Sequence, residues 1–327
     1  MLLILTNSID GTSDEIVRRV GTAKVFRFNI DLWREYEIHM DANGFTLSDP
    51  TGRQCISSEL KSVYLRKPTF DDPLSIPEGG CSEGWLRSQM SYFLQELYNQ
   101  CREMGLVRLV EKGAQNRFGK FSQLRMASRY FQVPQWAYVR TDSCSNLIPS
   151  PCITKPLTAD FVENYRVMFT RTVNPDELDH SYPWLLQEEI RATHDVTVVF
   201  VAGRCFTYSL ERSSFEGVDW RKHINRDELV WRAQKLPIEL EENIRSYMNE
   251  AGLEFGRLDF LQASDDYFFL EVNPNGQWAW LDEDGSHGVF DAIVTELTAG
   301  WNTAEAEQGR CWTTGGALGV ISKPAVI

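Results

Sequence analysis

Paired cysteines are missing from this sequence. Its 327 residues include seven cysteines, and no two of them form a C-x-x-C pair. A scattered, odd set of thiols argues against a disulfide framework. We therefore expect reduced thiols in a cytoplasmic protein.

Long apolar runs are missing as well. The opening stretch, "MLLILTNSID", is too short for a signal peptide or a membrane span, and no basic residue precedes its apolar part. No other segment approaches the length of a membrane-spanning helix. We expect no membrane partner, and we interpret the opening stretch as a β-strand.

Positive charge is scarce. Lysine and arginine number 33 against 46 acidic residues, which gives a net charge of −13. This balance argues against general nucleic-acid binding, which needs a basic face. Local groups of basic residues suit a small anionic ligand better than a polyanion. The length allows two or three units with separate cores.

Among the features that are present, "FLEVNPNGQWAW" (269–280) stands out. Side chains alternate along a strand, so Glu271 and Asn273 should share one face. Upstream, "FGRLDFLQ" sets Asp259 among apolar residues, and the polar turn at 263–266 predicts a hairpin that brings Asp259 close to the other two. Two carboxylates and an amide oxygen suit Mg²⁺ or Mn²⁺. Strand-end carboxylates that simply face water remain the alternative.

Two further features precede this hairpin. Lys155 follows the short strand "CIT", and a lysine there is usually an exposed edge charge. The apolar strand "WLLQEEI" then breaks into polar residues before Ile190. In chain order, two lysines, this break, an Asp and a D…E-x-N pattern resemble the ATP-grasp enzymes. Within them the chain is most similar to the graspetide synthetases, the microviridin-type ligases that macrocyclise ribosomal peptides.

The closer resemblance rests on six stretches. They are "VYLRKP" (63–68), "KFSQLRMA" (120–127), "ITKP" (153–156), "LLQEEI" (185–190), "VDWR" (218–221) and "FLEVNPNGQWAWL" (269–281). It extends from the opening strand to about residue 300. D…E-x-N is shared by all ATP-grasp enzymes, whereas N-P-N-G-Q-W followed by an aromatic is narrower. The resemblance implies an α/β ATP-grasp fold with an N-terminal pre-ATP-grasp domain (1–112), a central subdomain (113–184) and a C-terminal subdomain with the metal site (185–327).

The resemblance also implies roles for individual residues. Lys120 and Lys155 would hold the phosphates of ATP, and Asp195 would bind the ribose hydroxyls. The strand break at Gln187, Glu188, Glu189 and Ile190 would read the adenine edge, largely through its backbone. Asp259, Glu271 and Asn273 would hold two Mg²⁺ ions, and Mn²⁺ would also suit them.

The activity implied is that of a peptide macrocyclase. Asp or Glu side chains of a precursor peptide with a leader and an acidic, hydroxyl-rich core would be activated as acyl phosphates. Ser or Thr hydroxyls would then form ω-esters, or Lys amines ω-amides. A ligase of small carboxylates and amines and a catalytically silent peptide-binding relative are the alternatives. A homodimer is left open.

Two departures from the family concern the reaction centre. The family commonly has an arginine in the strand that here reads Asp195 to Val199, with Thr197 in its place. Arg171 or Arg212 could supply the missing cation, and Arg221 is a candidate for steadying the intermediate; a surface ion pair is the alternative for Arg221. Secondly, no glycine occurs between Lys155 and Gly203, so the lid predicted at 168–178 would close through Arg171 and its neighbours.

Overall fold

The structure is a computed structural model that describes residues 1–68, 81–109, 119–140, 147–157, 161–162, 166–167, 169–179, 181–223 and 228–301. The chain divides into two compact units, Met1–Arg108 with the chain from Val294 onward, and Leu109–Ile293. The division into three domains stays a prediction. Within the described ranges, no helix is both long and apolar enough to span a membrane.

The first unit combines a parallel and an antiparallel sheet of three strands each. The parallel sheet has the order β2-β1-β6, and its central strand β1 is buried along its whole length. The elements are β1 (Leu2–Thr6), α1 (Gly11–Val20), β2 (Val25–Asn29), β3 (Glu37–Asp41), β4 (Gly44–Ser48), β5 (Gln54–Ile56), β6 (Ser62–Leu65) and α2 (Cys81–Glu103).

The second unit carries the residues predicted to form the site. Its elements are α3 (Lys120–Ala127), β7 (Trp136–Val139), β8 (Cys152–Thr154), β9 (Phe161–Val162), β10 (Arg166–Val167), β11 (Arg171–Val173), β12 (Trp184–Glu188), β13 (His194–Val201), β14 (Arg204–Glu211), β15 (Arg232–Gln234), α4 (Ile238–Ala251), β16 (Phe255–Ala263) and β17 (Asp266–Asn273). The helix α5 (Val289–Leu297) follows.

The larger sheet of this unit has one apolar and one polar face. Its order is β15-β14-β13-β16-β17, and all its pairs are antiparallel. One face forms the core with α3 and α4, through residues such as Val198, Leu258 and Tyr247. Because side chains alternate, Thr197, Asp259 and Glu271 emerge on the opposite face. We call this opposite face the polar face.

The predicted hairpin is confirmed, and a β-bulge adds a detail that sets its register. Strands β16 and β17 pair Asp259 with Glu271, but Phe260 with Phe269, so Leu270 is the extra residue. A bulge shifts the alternation of side chains by one position. Phe269 can therefore face the core while Glu271, only two residues later, points with Asp259 to the polar face.

The smaller sheet has the order β11-β8-β12-β7. Its inner face packs on a core that includes Cys152, Leu178 and Leu186. Paired residues in antiparallel strands share a face, and Gln187 pairs with Ile153 and with Trp136. These three side chains, and that of Lys155 two residues after Ile153, therefore occupy the opposite face, on which Gln187 and Ile153 are also buried.

Candidate active site

The three predicted metal ligands come together on the polar face. The Asn273 amide nitrogen lies 3.4 Å from Asp259 Oδ2 and 3.4 Å from Glu271 Oε1. Thr197 donates a 2.8 Å hydrogen bond to Asp259 Oδ1. The two carboxylates are about four-fifths buried, with 21% and 20% of their side chains exposed. The fold therefore aims three oxygen-bearing side chains at one point.

This donor set fits a divalent cation through its chemistry. Within the described ranges, no three His, Cys, Asp or Glu side chains cluster in a way that would hold a metal. Mg²⁺ is commonly held by one or two carboxylates and takes its other oxygens from water and phosphates. Two carboxylates with an amide match that pattern once the Asn273 amide turns its oxygen toward them, an assignment that hydrogen bonding decides.

Both predicted lysines lie at the same point. Lys120 Nζ forms a 3.0 Å ion pair with Glu271 Oε2. Helix α3 places it there because Gln123, three residues later, accepts a 3.0 Å hydrogen bond from the backbone N–H of Val272. Gln123 is buried, so it anchors the helix on strand β17 and fixes Lys120 over Glu271.

The second lysine, Lys155, lies among charges of both signs. Burial, together with the charges of Lys120 and Arg221, lowers the pKa of its ammonium group to about 8, against the opposing effects of Glu271 and Asp259. Burial raises the pKa of Glu271, but Lys120 and Lys155 outweigh burial and hold it well below its usual range. The site thus keeps two lysines and ionised Glu271 together at neutral pH.

The depressed pKa of Lys155 predicts a pH dependence of nucleotide binding. A phosphate bound beside Lys155 favours the ammonium form, so binding between about pH 8 and the ordinary lysine pKa should be accompanied by proton uptake. Affinity should therefore fall as pH rises through about 8. Calorimetric titration of Mg-ATP in two buffers of different ionisation enthalpy measures both effects. An affinity that does not change between about pH 7 and about pH 9.5, an interval in which the Lys155 ammonium group should lose its proton, would exclude Lys155 as a phosphate contact.

Arg257 is a site residue that the sequence reasoning missed. Its guanidinium donates a 3.0 Å bond to Asp259 Oδ2 and a 2.9 Å bond to the carbonyl of Gln277. It lies two residues before Asp259 on β16, hence on the same face. The i, i+2 spacing in "GRLDF" was the signal that could have identified it.

The N-P-N-G turn closes tightly on this arginine. A Cβ on Gly276 would lie 2.8 Å from the Cβ of Arg257 and 3.2 Å from that of Asn273. The first contact is shorter than Cβ atoms tolerate and the second is tight, which explains why glycine follows Asn275. The turn also brings the Gln277 carbonyl to the Arg257 guanidinium.

We expect Gly276→Ala to destabilise the protein by about 1–3 kcal/mol, because the new methyl group must push Arg257 or Asn273 away. Denaturant unfolding measures the loss. Gly11→Ala is a matched control, since a Cβ there meets nothing within 4 Å and the residue opens helix α1. An unfolding free energy as high in Gly276→Ala as in Gly11→Ala would contradict the packing described for the turn.

Thr197 faces the site, as expected, and contacts the same carboxylate as the Arg257 guanidinium. Thr197 pairs across the strands with Asp259, which Arg257 contacts. Arg212 lies elsewhere on this face, where it forms a 2.8 Å ion pair with Asp195 Oδ2. Burial raises the pKa of Asp195 to about 6, although the Arg212 cation lowers it. Arg212 therefore sits beside the residue predicted to bind ribose.

The two remaining candidate cations, Arg221 and Arg171, lie in different surroundings: Arg221 pairs with a buried aspartate, and Arg171 lies on the smaller sheet. Arg221 forms a bidentate pair with buried Asp219, at 2.8 and 2.9 Å, and 47% of its side chain is exposed. Asp219 also accepts a 3.1 Å bond from the backbone N–H of Thr170. Arg171 pairs with Thr154, which puts it on the opposite face of the smaller sheet from Lys155. A catalytic role for Arg171 stays a prediction that this orientation does not support.

The strand break at Gln187 begins with an unusual buried amide. Gln187 is fully buried, and neither polar atom of its side chain has a hydrogen-bond partner among the residues that the structure describes. Leaving a buried amide without partners costs on the order of 1–3 kcal/mol per group. Glu188 accepts a bond from the backbone of Gln135, and Glu189 from Thr172, while the Glu189 backbone N–H binds the Pro151 carbonyl. The adenine-binding roles of Gln187 to Ile190 stay predictions.

No family model and no curated protein sequence matches the chain. Solved structures do. A macrocyclase, MdnC, from Microcystis aeruginosa, crystallised with its precursor peptide MdnA, is 24% identical with a TM-score of 0.72, over 91% of this chain and 99% of that one. A ribosomal-peptide-associated ATP-grasp ligase from Chryseobacterium gregarium, in complex with ADP and leader and core peptides, is 20% identical with a TM-score of 0.71, over 90% and 96%.

A more distant likeness extends to another kind of ligase. A D-alanine–D-alanine ligase from Bacillus anthracis, complexed with ATP, is 11% identical with a TM-score of 0.53, over 94% of this chain and 99% of that one. All three likenesses span at least nine-tenths of this chain. The likeness to these structures, together with the α/β architecture, shows that the chain has the ATP-grasp fold.

Proposed function

We propose that this protein is an ATP-dependent ligase that macrocyclises a ribosomal precursor peptide. It activates Asp or Glu side chains as acyl phosphates and joins them to Ser or Thr hydroxyls, as ω-esters, or to Lys amines, as ω-amides. The observation that carries the proposal is the convergence of Lys120 and Glu271 with Asp259 and Asn273 on one sheet face. The neighbours co-crystallised with precursor, leader and core peptides support a peptide substrate.

The arrangement provides cations where phosphates need them. Lys120 and Lys155 are the groups we propose to bind the ATP phosphates, since lysine acts as a compact point charge. Asp195 would accept the ribose hydroxyls, and the backbone after Gln187 would contact the base. Asp259, Glu271 and Asn273 would hold two Mg²⁺ ions, or Mn²⁺ in their place, which when bound neutralise charge on the phosphates.

The remaining groups serve the acceptor chemistry. A carboxylate is a poor electrophile, and phosphorylation gives it a good leaving group that a hydroxyl or an amine can displace. Arg257, fixed between Asp259 and the Gln277 carbonyl, would steady the negative charge that develops as the bond forms. Arg221, nearly half exposed beside the site, would attract the substrate carboxylate.

The first test is a mass measurement. The probe is a peptide encoded next to the gene of this protein and containing repeated Ser/Thr and Asp/Glu residues. Incubation with enzyme and Mg-ATP should remove one water for each bond formed. A panel of amino acids and small amines tests the alternative of a small-molecule ligase. Water loss only from the small molecules would replace the proposal by that alternative, and ATP binding without any product would favour a silent relative.

The proposal also includes a cellular location, an oligomeric state and a number of metal ions. A cytoplasmic location is proposed because the cysteines show no paired pattern in the sequence, and because Cys55, Cys101 and Cys152, among the described residues, are buried free thiols. A homodimer and the two-ion stoichiometry belong to the proposal as well, and analytical ultracentrifugation and metal titration measure them directly.

A further inference from the structure

Three tryptophans from separate segments meet near Arg221. Trp220, Trp231 and Trp280, which we call the tryptophan cluster, have ring centroids 5.5, 6.0 and 5.4 Å apart. Their planes are inclined at 75°, 47° and 71° to one another, so two pairs pack edge to face, the third pair is tilted, and the rings do not form a flat stack. Such contacts hold aromatic rings in fixed positions.

The cluster packs on buried apolar residues and is partly exposed to water. Trp220 and Trp231 pack on a buried base formed by Leu210, Phe215 and Leu229. All three tryptophans are only partly buried, and Val230, beside Trp231, is 56% exposed. The cluster therefore exposes part of a rigid apolar surface to water, where a polar surface would cost less free energy.

Its position ties the cluster to the candidate active site. Trp220 lies between Asp219 and Arg221, and the charges of Glu271 and Asp259 act on the Arg221 guanidinium. Trp280 follows the N-P-N-G turn that closes on Arg257. The cluster thus borders the site on the side of Arg221.

Exposed charges of both signs lie next to the cluster in the described chain: Arg221, Lys222 and Arg232 against Glu228 and Glu283. Arg221 is the cation among them on which the charges of the candidate active site act, and 47% of its side chain is exposed although it pairs with Asp219. An apolar side chain next to a carboxylate would therefore contact the rings and place its charge near the Arg221 guanidinium.

We propose that the tryptophan cluster is the docking surface for an apolar side chain that adjoins the reacting Asp or Glu of the peptide substrate. The proposal rests on the proposed function and adds to it a rule for choosing among acidic residues. An acidic residue with an apolar neighbour is held by ring contacts and by Arg221 together, whereas one with a polar neighbour is held by Arg221 alone.

The test uses two acetylated tetrapeptide amides, Ser-Leu-Asp-Ser and Ser-Ser-Asp-Ser, with the full chain. The ten tryptophans give separate indole N–H signals in a nitrogen-15 NMR spectrum, which single Trp→Phe variants assign. The leucine peptide should shift the signals of the cluster and bind roughly three- to tenfold more tightly than the serine peptide. Trp231→Leu should remove most of this preference and leave the serine peptide's affinity within about twofold.

Trp85→Leu is the matched control, because Trp85 is 61% exposed on helix α2 in the first unit. It should retain the full preference for leucine. Equal affinity of the native chain for the two peptides, shifts confined to other tryptophans, or an unchanged preference in Trp231→Leu would overturn the docking surface. Peptide binding needs no turnover, so a preference for leucine in a chain that forms no bonds would contradict the proposed function alone.

Discussion

Glu271→Gln should retain the fold and lose roughly a hundredfold or more in peptide turnover. The substitution preserves the shape of the side chain and removes the negative charge that Lys120 contacts at 3.0 Å. Without that charge, the proposed set of metal ligands has one carboxylate fewer. Less negative charge then offsets the repulsion between Lys120 and Lys155. Turnover is measured by mass spectrometry, and binding by the Mg-ATP shift in melting temperature.

The melting temperature without nucleotide should fall only modestly in this variant. Lys120 is 27% exposed, so water can replace part of the lost ion pair. The pKa of Glu271 is depressed, so its pair contributes stability at neutral pH and loses it as pH falls through that depressed pKa. Glu283→Gln, at an exposed position after the turn, is the control. Full turnover in Glu271→Gln would remove the metal-site interpretation.

Arg257→Ala should have the second large effect, roughly a hundredfold loss of turnover with a smaller loss of Mg-ATP affinity. Its guanidinium holds both Asp259 and the carbonyl of Gln277, so the substitution releases a carboxylate and the turn together. Arg257→Lys should recover part of the activity by keeping the charge on Asp259, but not the two-point geometry. Steady-state kinetics with the peptide separates kcat from KM.

Arg171→Ala is the matched comparison for this effect. Arg171 is an exposed arginine on the opposite face of the smaller sheet from Lys155, so its removal should leave turnover within about twofold. If Arg171→Ala abolished turnover while Arg257→Ala retained it, the cation near the reaction centre would have been assigned to the wrong residue. The sequence-based suggestion of Arg171 would then stand.

The sequence was most informative where chemistry and alternation coincide. Glu271 and Asn273 are two residues apart in an apolar strand, and the turn at 263–266 joins that strand to Asp259, so their meeting could be predicted. The order of such features along the chain resembles that of the ATP-grasp enzymes, this resemblance implied their fold, and the structural neighbours confirm the fold.

Other parts of the site depend on pairing that alternation alone does not specify. The β-bulge at Leu270 determines which residue of β16 pairs with Glu271, and no residue in "FLEVN" predicts a bulge. Alternation places Arg257 on the face of Asp259, but its bond to the Gln277 carbonyl depends on the tight turn at Gly276. Arg171 looked equally suitable as a cation, since one residue of register decides the face of a short strand. The tryptophan cluster joins segments 60 residues apart (280 − 220), a proximity that requires the fold.

Transfer of heavy oxygen tests the central claim most directly. The peptide is prepared with labelled oxygen in its Asp and Glu side chains and is incubated with the protein and Mg-ATP. If the carboxylate is activated as an acyl phosphate, one labelled oxygen should appear in the released inorganic phosphate for each bond formed, as mass spectrometry of the phosphate would show. Bond formation with unlabelled phosphate, or with the label in AMP, would contradict the account.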